Sequence, residues 1–286
     1  MTMRRIYALL SITLLFSSCS LRPNDKADDT IYVTITPLKA IIEEITCGDF
    51  RVEVIVPNGA SPETYEPTAM QLAKINEAEL IFSTGLINFE QSIIQNIDNS
   101  EKIINLSRGI DLIEGSCSHH HHNHKHGVDP HIWTSPKSLL TMIQSARDAI
   151  LATYPNNAKY QEAADNLIEK VSTLDQECQK MIDESGVKAI MIYHPAYTYY
   201  ARDYGIEQIA IEHDGKEPTP KQLKQLCDKG DALGIKVIFH QPQYNADKVH
   251  SIADELGASI IVTDPLCEDI VAEIMRITTI ICGKDE

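Results

Sequence analysis

Two series of short apolar runs that alternate with helical patterns constrain the fold of this chain more than any other feature. The runs are rich in Ile and Val and are bounded by turn-forming residues, as buried β-strands are. Strands that alternate with helices form parallel sheets whose faces the helices cover. The sequence therefore predicts an α/β fold with two Rossmann-like lobes, each built on a parallel sheet.

The predicted elements are bounded by the changes in hydrophobic period. The first series predicts strands at 31–36, 51–56, 80–84 and 102–106 and helices at 38–46, 67–76 and 89–97. The second series predicts strands at 188–193, 206–211, 236–239 and 259–263 and helices near 195–203, 219–232, 246–256 and 268–281. These elements define an N-terminal lobe at 31–154 and a C-terminal lobe at 186–286.

A long amphipathic stripe separates the two series. Apolar side chains recur at alternating spacings of four and three from Tyr160 to Met181, which is the period of one face of an α-helix. A helix over 155–185 would be about 46 Å long at 1.5 Å per residue. We predict that this rigid helix joins the lobes and limits their motion to a small tilt. A coiled coil is the alternative, but the stripe lasts only about three heptads.

The amino terminus has the pattern of a bacterial export signal. Arg4 and Arg5 precede an apolar stretch at 6–16 that is too short to span a bilayer comfortably. The stretch ends in Ser-Ser-Cys, which resembles a lipobox with Cys19 as the lipidated residue. We expect a lipoprotein signal at 1–18, a lipid-anchored tether at 19–30, and a periplasmic or cell-surface lipoprotein held to a bacterial membrane. A single uncleaved membrane anchor is the alternative.

The charge of the chain limits its partners. The formal net charge is −16 and the pI is near 5.1, which argues against binding to nucleic-acid phosphates. An acidic surface attracts cations through its long-range field. Many soluble bacterial proteins are also acidic, so the ligand-type residues carry more of the argument than the charge does.

Six histidines lie within eight residues between two patterned regions of the chain. They are His119, His120, His121, His122, His124 and His126. Neutral imidazole is the commonest nitrogen ligand for zinc and its neighbours, and several on one loop make many weak, interchangeable sites. We predict an accessory loop at 118–126 that gathers metal ions. A solvated low-complexity loop is the alternative, whereas a purification tag would not lie inside the chain.

Residues of metal-ligating type follow the predicted strands, and one more, His131, follows the His-rich loop. In open parallel sheets, ligands bind beyond the carboxyl ends of the strands. The predicted ligands are Glu63, His131, His194 and Asp264, with His240 and His213 in reserve. Two imidazole nitrogens and two carboxylate oxygens would complete a four-coordinate site that leaves no position for a reactive water. The sequence therefore predicts a metal site in the cleft between the lobes that binds and does not catalyse.

Each predicted ligand could instead have a structural role without binding metal. Glu63 could be a solvated turn residue, and His131 could be a turn residue beside Trp133. His194 could be a helix-start residue, and Asp264 could cap the last helix.

A zinc hydrolase is the competing class of function. The sequence has no His-Glu-x-x-His helix and no nucleophile elbow, although Glu66 or Glu212 could be recruited as a base. We expect a binding protein and no catalytic residues.

Several segments, in order along nearly the whole mature chain, resemble the zinc-binding periplasmic components of ABC uptake transporters. They are 57–67, the His-rich loop, 129–136, 194–197, 217–220, 241–243 and 263–266. The resemblance implies two α/β lobes, joined by a long helix, that hold one transition metal in the cleft and pass it to a membrane permease with its ATPase. We also expect the chain to act as a monomer that binds no nucleic acid.

The resemblance assigns the ligands residue by residue. His131 and His194 match the metal-ligating histidines of the family, and Asp264 matches the acidic residue of its second lobe. Glu63 departs from the pattern, because the family usually has His at that place in the Ser-Pro-x-x-Tyr loop. A carboxylate is a harder ligand and makes the site less selective against manganese.

Two features nevertheless favour zinc. Manganese-type relatives more often carry Glu where this chain has His194, and the His-rich loop resembles that of the zinc group. We expect zinc capture for a high-affinity transporter. Uptake of manganese or another transition metal is the first alternative, and a surface adhesin or metal buffer is the second.

Overall fold

The structure is a computed structural model that describes residues 30–114, 127–212, 216, 218–244 and 247–284. The first lobe contains β1 (Thr30–Val33), α1 (Thr36–Ile45), β2 (Arg51–Val54), α2 (Ala69–Asn76), β3 (Leu80–Ser83), α3 (Asn88–Asn96) and β4 (Ile103–Asn105). The helices α4 (Pro136–Thr153) and α5 (Ala158–Ser185) follow. The second lobe contains β5 (Ala189–Ile192), α6 (Thr198–Tyr204), β6 (Glu207–Ala210), α7 (Pro220–Ala232), β7 (Val237–His240), α8 (Asp247–Leu256), β8 (Ser259–Val262) and α9 (Ile270–Ile281).

The described strands form two parallel sheets with the same strand order. The first sheet has the order β2-β1-β3-β4 and the second has the order β6-β5-β7-β8. Every residue of β3 and of β5 is buried, as expected for parallel strands that helices cover on both faces. The predicted fold class, two parallel α/β lobes joined by a long helix, is confirmed.

The helix α5 ties the lobes together. It has 28 residues, which corresponds to a length of about 42 Å, and it contacts α1 of the first lobe and α9 of the second. Its buried face begins at Tyr160 and ends at Ile182, whereas the predicted stripe ended at Met181. The shift arises because the helical period of 3.6 residues drifts from a strict four-three alternation. Gly186 ends the helix in the left-handed conformation, with φ of +68°.

The helix α4 was missing from the predicted elements. Its 18 residues begin with Pro136 at the first helical turn and lie along α5. Proline is favoured at that position because its nitrogen has no hydrogen to leave unpaired. Leu139, Ile143, Ala146 and Ile150 form its buried stripe. The helices α4 and α5 thus pack side by side.

Several predictions lie outside the described residues. These are the export signal, Cys19, the six histidines of the accessory loop and His213. Among the helices that the structure does describe, none has the length and apolar character needed to cross a membrane.

Candidate metal site

Three of the predicted ligands converge where the two lobes meet. Glu63, His131 and His194 each offer one ligand atom, and these atoms all lie within 4.8 Å of one another. The Nε2 atoms of the two histidines are 3.3 Å apart. Oε1 of Glu63 lies 3.4 Å from Nε2 of His194 and 3.9 Å from Nε2 of His131. Both imidazoles are buried, and the carboxylate is partly exposed.

These separations fit a tetrahedral metal ion. Bonds of 2.0–2.1 Å place the ligand atoms of tetrahedral zinc about 3.3–3.4 Å apart. The His131–His194 and His194–Glu63 separations have this value. The His131–Glu63 separation exceeds it by about 0.5 Å, which rotation of the partly exposed carboxylate can close. The donor set suits zinc in both chemistry and spacing.

Asp129 orients His131 within a tight turn. One carboxylate oxygen, Oδ1, accepts a hydrogen bond from the backbone N–H of His131 and lies 2.9 Å from its Nδ1. Burial raises the pKa of Asp129, but the charge and hydrogen bonds of His131 outweigh burial and hold that pKa below its ordinary value. With Nδ1 engaged, the ring presents Nε2 to Glu63 and His194.

The segment that carries His131 is attached to the second lobe, although it precedes α4 in the chain. The indole N–H of Trp133 donates to the carbonyl of Pro265 at 2.8 Å. The hydroxyl of Thr134 lies 2.8 Å from the carbonyl of Ala196. The hydroxyl of Tyr199 donates to the carbonyl of Asp129 at 2.7 Å. Both histidines are therefore held by contacts with the second lobe, and Glu63 approaches them from a loop of the first lobe.

His194 follows β5 and is restrained on several sides. Its backbone N–H donates to Oε1 of Gln241 at 3.1 Å, and Nε2 of Gln241 donates back to its carbonyl at 2.7 Å. Nδ1 lies 2.7 Å from Oε1 of Glu212, and the ring stacks on Tyr244 with a centroid distance of 4.9 Å. Burial lowers the pKa of His194, but hydrogen bonds with Glu212 and Glu63 more than offset this and raise it to about 9.

Asp264 lies outside the three-residue group. Its Oδ1 accepts hydrogen bonds from the side chain of Gln243 at 3.2 Å and from the backbone N–H of Leu266 at 3.0 Å. It borders a neighbouring pocket of the cleft with Thr36. The alternative role as cap of the last helix is wrong, because Asp269 caps α9. Whether Asp264 ligates the ion stays a prediction.

His240 also lies outside the group. It is buried at the end of β7, with its ring 5.9 Å from that of Tyr193. Among the residues that the structure describes, its Nε2 has no hydrogen-bond partner.

The groups that hold the ligands were not predicted from the sequence. Asp129 and Gln241 were not assigned a role, and Glu212 was considered only as a catalytic base. A detectable signal was the Asp-Pro-His order at 129–131, since metal-ligating histidines usually donate their other N–H to a carboxylate or carbonyl. The contacts of Gln241 and Glu212 are long-range, and no local spacing indicates them.

The comparisons with known proteins agree with this geometry. Residues 31–273 match the profile of the family described as zinc-uptake complex component A, periplasmic. The zinc-binding lipoprotein AdcA of Streptococcus pneumoniae is 25% identical over 278 residues, which cover 92% of this chain and 56% of that protein. The chain thus spans about half the length of the curated relatives that it matches first.

Solved structures share the fold. A crystal structure of ZnuA is 30% identical with a TM-score of 0.80, and the match covers 89% of this chain and 98% of that one. The manganese complex of FpvC from Pseudomonas aeruginosa is 21% identical with a TM-score of 0.74, covering 90% of this chain and 98% of that one. At that identity the likeness to FpvC concerns the fold alone.

Proposed function

Because the chain belongs to the family of periplasmic zinc-uptake component A proteins, we propose that it is the extracytoplasmic solute-binding component of a high-affinity ABC transporter. It captures zinc and delivers it to a membrane permease that works with an ATPase. One observation carries this proposal, namely the convergence of Glu63, His131 and His194 at tetrahedral spacing. The likeness to the zinc-binding lipoprotein AdcA supports the same cargo.

Binding without reaction is the role that the surroundings of the site support. The ligands line a cavity of about 30 Å³. Since roughly 10–15 Å³ holds one water, this cavity has room for an ion but little room for an organic substrate. Its apolar lining includes Ile87, Pro130, Trp133, Ala196, Pro265 and Leu266. Glu212, the carboxylate considered as a base, is engaged by Nδ1 of His194 on the side of the ring away from Nε2. Glu212 is therefore not placed to activate a water on the ion.

The amino-terminal signal pattern and the His-rich loop extend this proposal. The chain is exported, attached to a membrane through lipid on Cys19, and acts as a monomer. The histidines of the accessory loop gather zinc for the cleft. A three-ligand set leaves one tetrahedral position, and we assign it to Asp264 once its side chain exchanges Gln243 for the ion. Two imidazoles favour zinc over manganese, which prefers oxygen ligands.

Competitive zinc titration of the mature protein tests the proposal. The variants are His131→Ala, a deletion of 118–126, and His250→Ala as a matched control on the exposed face of α8. We expect one tight zinc site that survives the deletion and the control substitution but is lost with His131→Ala. Tight binding that disappears with the loop and ignores His131→Ala would identify a His-loop buffer and overturn the proposal.

A further inference from the structure

Glu212 holds a buried carboxylate against the side of His194 that faces away from the ligand group. Its side chain is 6% exposed, and Oε1 lies 2.7 Å from Nδ1 of the imidazole. A buried carboxylate costs free energy unless it is paired. The distance is that of a strong, charge-assisted hydrogen bond, so the pair fixes the position of the ring.

The backbone fixes the carboxylate in turn. The N–H of Ile211 donates to the carbonyl of Ile192 at 2.9 Å, and the N–H of Glu212 donates to the carbonyl of Tyr193 at 3.0 Å. These bonds extend the parallel pairing of β5 and β6 beyond the last strand residues. Glu212 therefore projects from the end of one strand toward the histidine at the end of its neighbour.

The remaining restraints on His194 act on other parts of the residue. Gln241 holds its backbone N–H and carbonyl, and Tyr244 covers one face of the ring. Neither contact decides which ring nitrogen carries the proton. Glu63 faces Nε2 at 3.4 Å but is itself a ligand of the proposed site. With the ion bound, Glu212 therefore sets the proton, because its carboxylate accepts an N–H at Nδ1 and leaves the lone pair of Nε2 to the ion.

We propose that Glu212 is the positioning residue that makes His194 an Nε2 ligand, and that it strengthens this ligand for a divalent cation of the zinc class. The inference rests on the proposed function, since it assumes that the ion binds between Glu63, His131 and His194. Its carboxylate fixes the tautomer and rotation of the ring and raises the basicity of Nε2. Asp129 has the same relation to His131 within a local turn, whereas Glu212 acts across the sheet.

Zinc affinity of Glu212 variants of the mature protein tests this assignment. Glu212→Ala is expected to weaken zinc binding by about 10–100-fold, the usual effect of losing such a partner. Glu212→Gln keeps an acceptor for the Nδ1 hydrogen but loses the charge, so it is expected to recover part of the affinity. Glu207→Gln is the matched control, because Glu207 is an exposed residue of β6 that pairs with Lys229, and its zinc affinity should equal that of the wild type.

A tautomer measurement separates positioning from a merely structural role. Long-range ¹H–¹⁵N NMR of the zinc-loaded wild type should show His194 protonated at Nδ1 and bound to zinc through Nε2. Thermal unfolding of the metal-free variants checks that they fold. If Glu212→Ala does not fold, the Gln variant and the wild-type spectrum decide. Zinc on Nδ1, or equal affinities for wild type and a folded Glu212→Ala, would overturn the assignment.

The two proposals fail in different ways. If both His131→Ala and His194→Ala kept tight zinc binding, the proposed metal site in the cleft would be wrong. If those two variants lost zinc binding but Glu212→Ala kept full affinity, only the proposed role of Glu212 would be wrong.

Discussion

The Nε2 atoms of His131 and His194 lie 3.3 Å apart although the residues are 63 positions apart in sequence. Each ring is turned toward this meeting point by a carboxylate on its Nδ1, from Asp129 and Glu212 respectively. Because the two rings are already held in place, binding of an ion costs little side-chain conformational entropy at the histidines. Among the three converging residues, Glu63 is the one that still has to adjust.

Substitution of Glu63 should change both affinity and selectivity. Glu63→Ala removes a direct ligand, so we expect zinc affinity to fall by more than about 100-fold, beyond the effect of losing an outer partner. Glu63→His replaces a hard oxygen by an imidazole nitrogen and should increase the preference for zinc over manganese. Parallel titrations with the two ions measure both effects. An unchanged preference in Glu63→His would show that this residue does not set selectivity.

Asp264→Asn tests the fourth ligand. Asparagine keeps an oxygen that can accept from the side chain of Gln243 and the N–H of Leu266, but it is a much weaker zinc ligand than a carboxylate. We expect zinc affinity to fall by at least about tenfold, the lower end of the effect of losing an outer partner, because the amide oxygen stays in reach of the ion but carries no charge. Wild-type affinity in this variant would assign the fourth position to water.

The stability of the metal-free protein should depend on the protonation of His194. Its pKa is raised from 6.5 to about 9, so the stabilisation is fully present below pH 6.5 and is lost as the pH rises through 9. We expect the free energy of unfolding to fall between these values. Zinc requires the neutral ring, so the zinc-loaded protein should lack this loss. Denaturant unfolding of the wild type and His194→Gln at several pH values isolates the contribution of His194. If the free energy of unfolding changed with pH equally in both proteins, the prediction would be contradicted.

Glu90 should be a strong determinant of stability. Its buried carboxylate accepts hydrogen bonds from the backbone N–H groups of Thr84, Leu86 and Ile87 and from the hydroxyl of Thr84. Glu90→Gln replaces an acceptor oxygen by a donor and leaves at least one of these groups unpaired. We expect a loss of about 1–3 kcal/mol in the free energy of unfolding. Urea unfolding measures it, and the exposed Glu101→Gln serves as the control that should change little.

The periodicity of the chain predicted the fold because parallel strands buried on both faces leave continuous apolar runs, as in β3 and β5. The helix α4 escaped prediction because it is followed by another helix and stands outside the strand–helix alternation. Its stripe of Leu139, Ile143, Ala146 and Ile150 is regular, so the period itself was present.

The candidate site was predictable in part because two of its histidines lie in local sequence patterns. The positions of His131 and His194 next to strand ends and turns are local, and the structure brings them together with Glu63. Their partners depend on the register of strands, since Glu212 reaches His194 only through the pairing of β5 with β6. The second-lobe contacts of Trp133 and Thr134 end on main-chain carbonyls. Any residue provides such a carbonyl, so sequence offers no mark of the contact.

That same use of carbonyls affects how the protein can diverge. In these three contacts Trp133, Thr134 and Tyr199 supply the hydrogens, and the backbone oxygens of Pro265, Ala196 and Asp129 accept them. Replacement of Ala196 or Pro265 leaves the oxygen in place as long as the backbone keeps its path. Half of each contact is therefore insensitive to mutation. Lineages can exchange many side chains around the cleft while the two imidazoles keep their spacing.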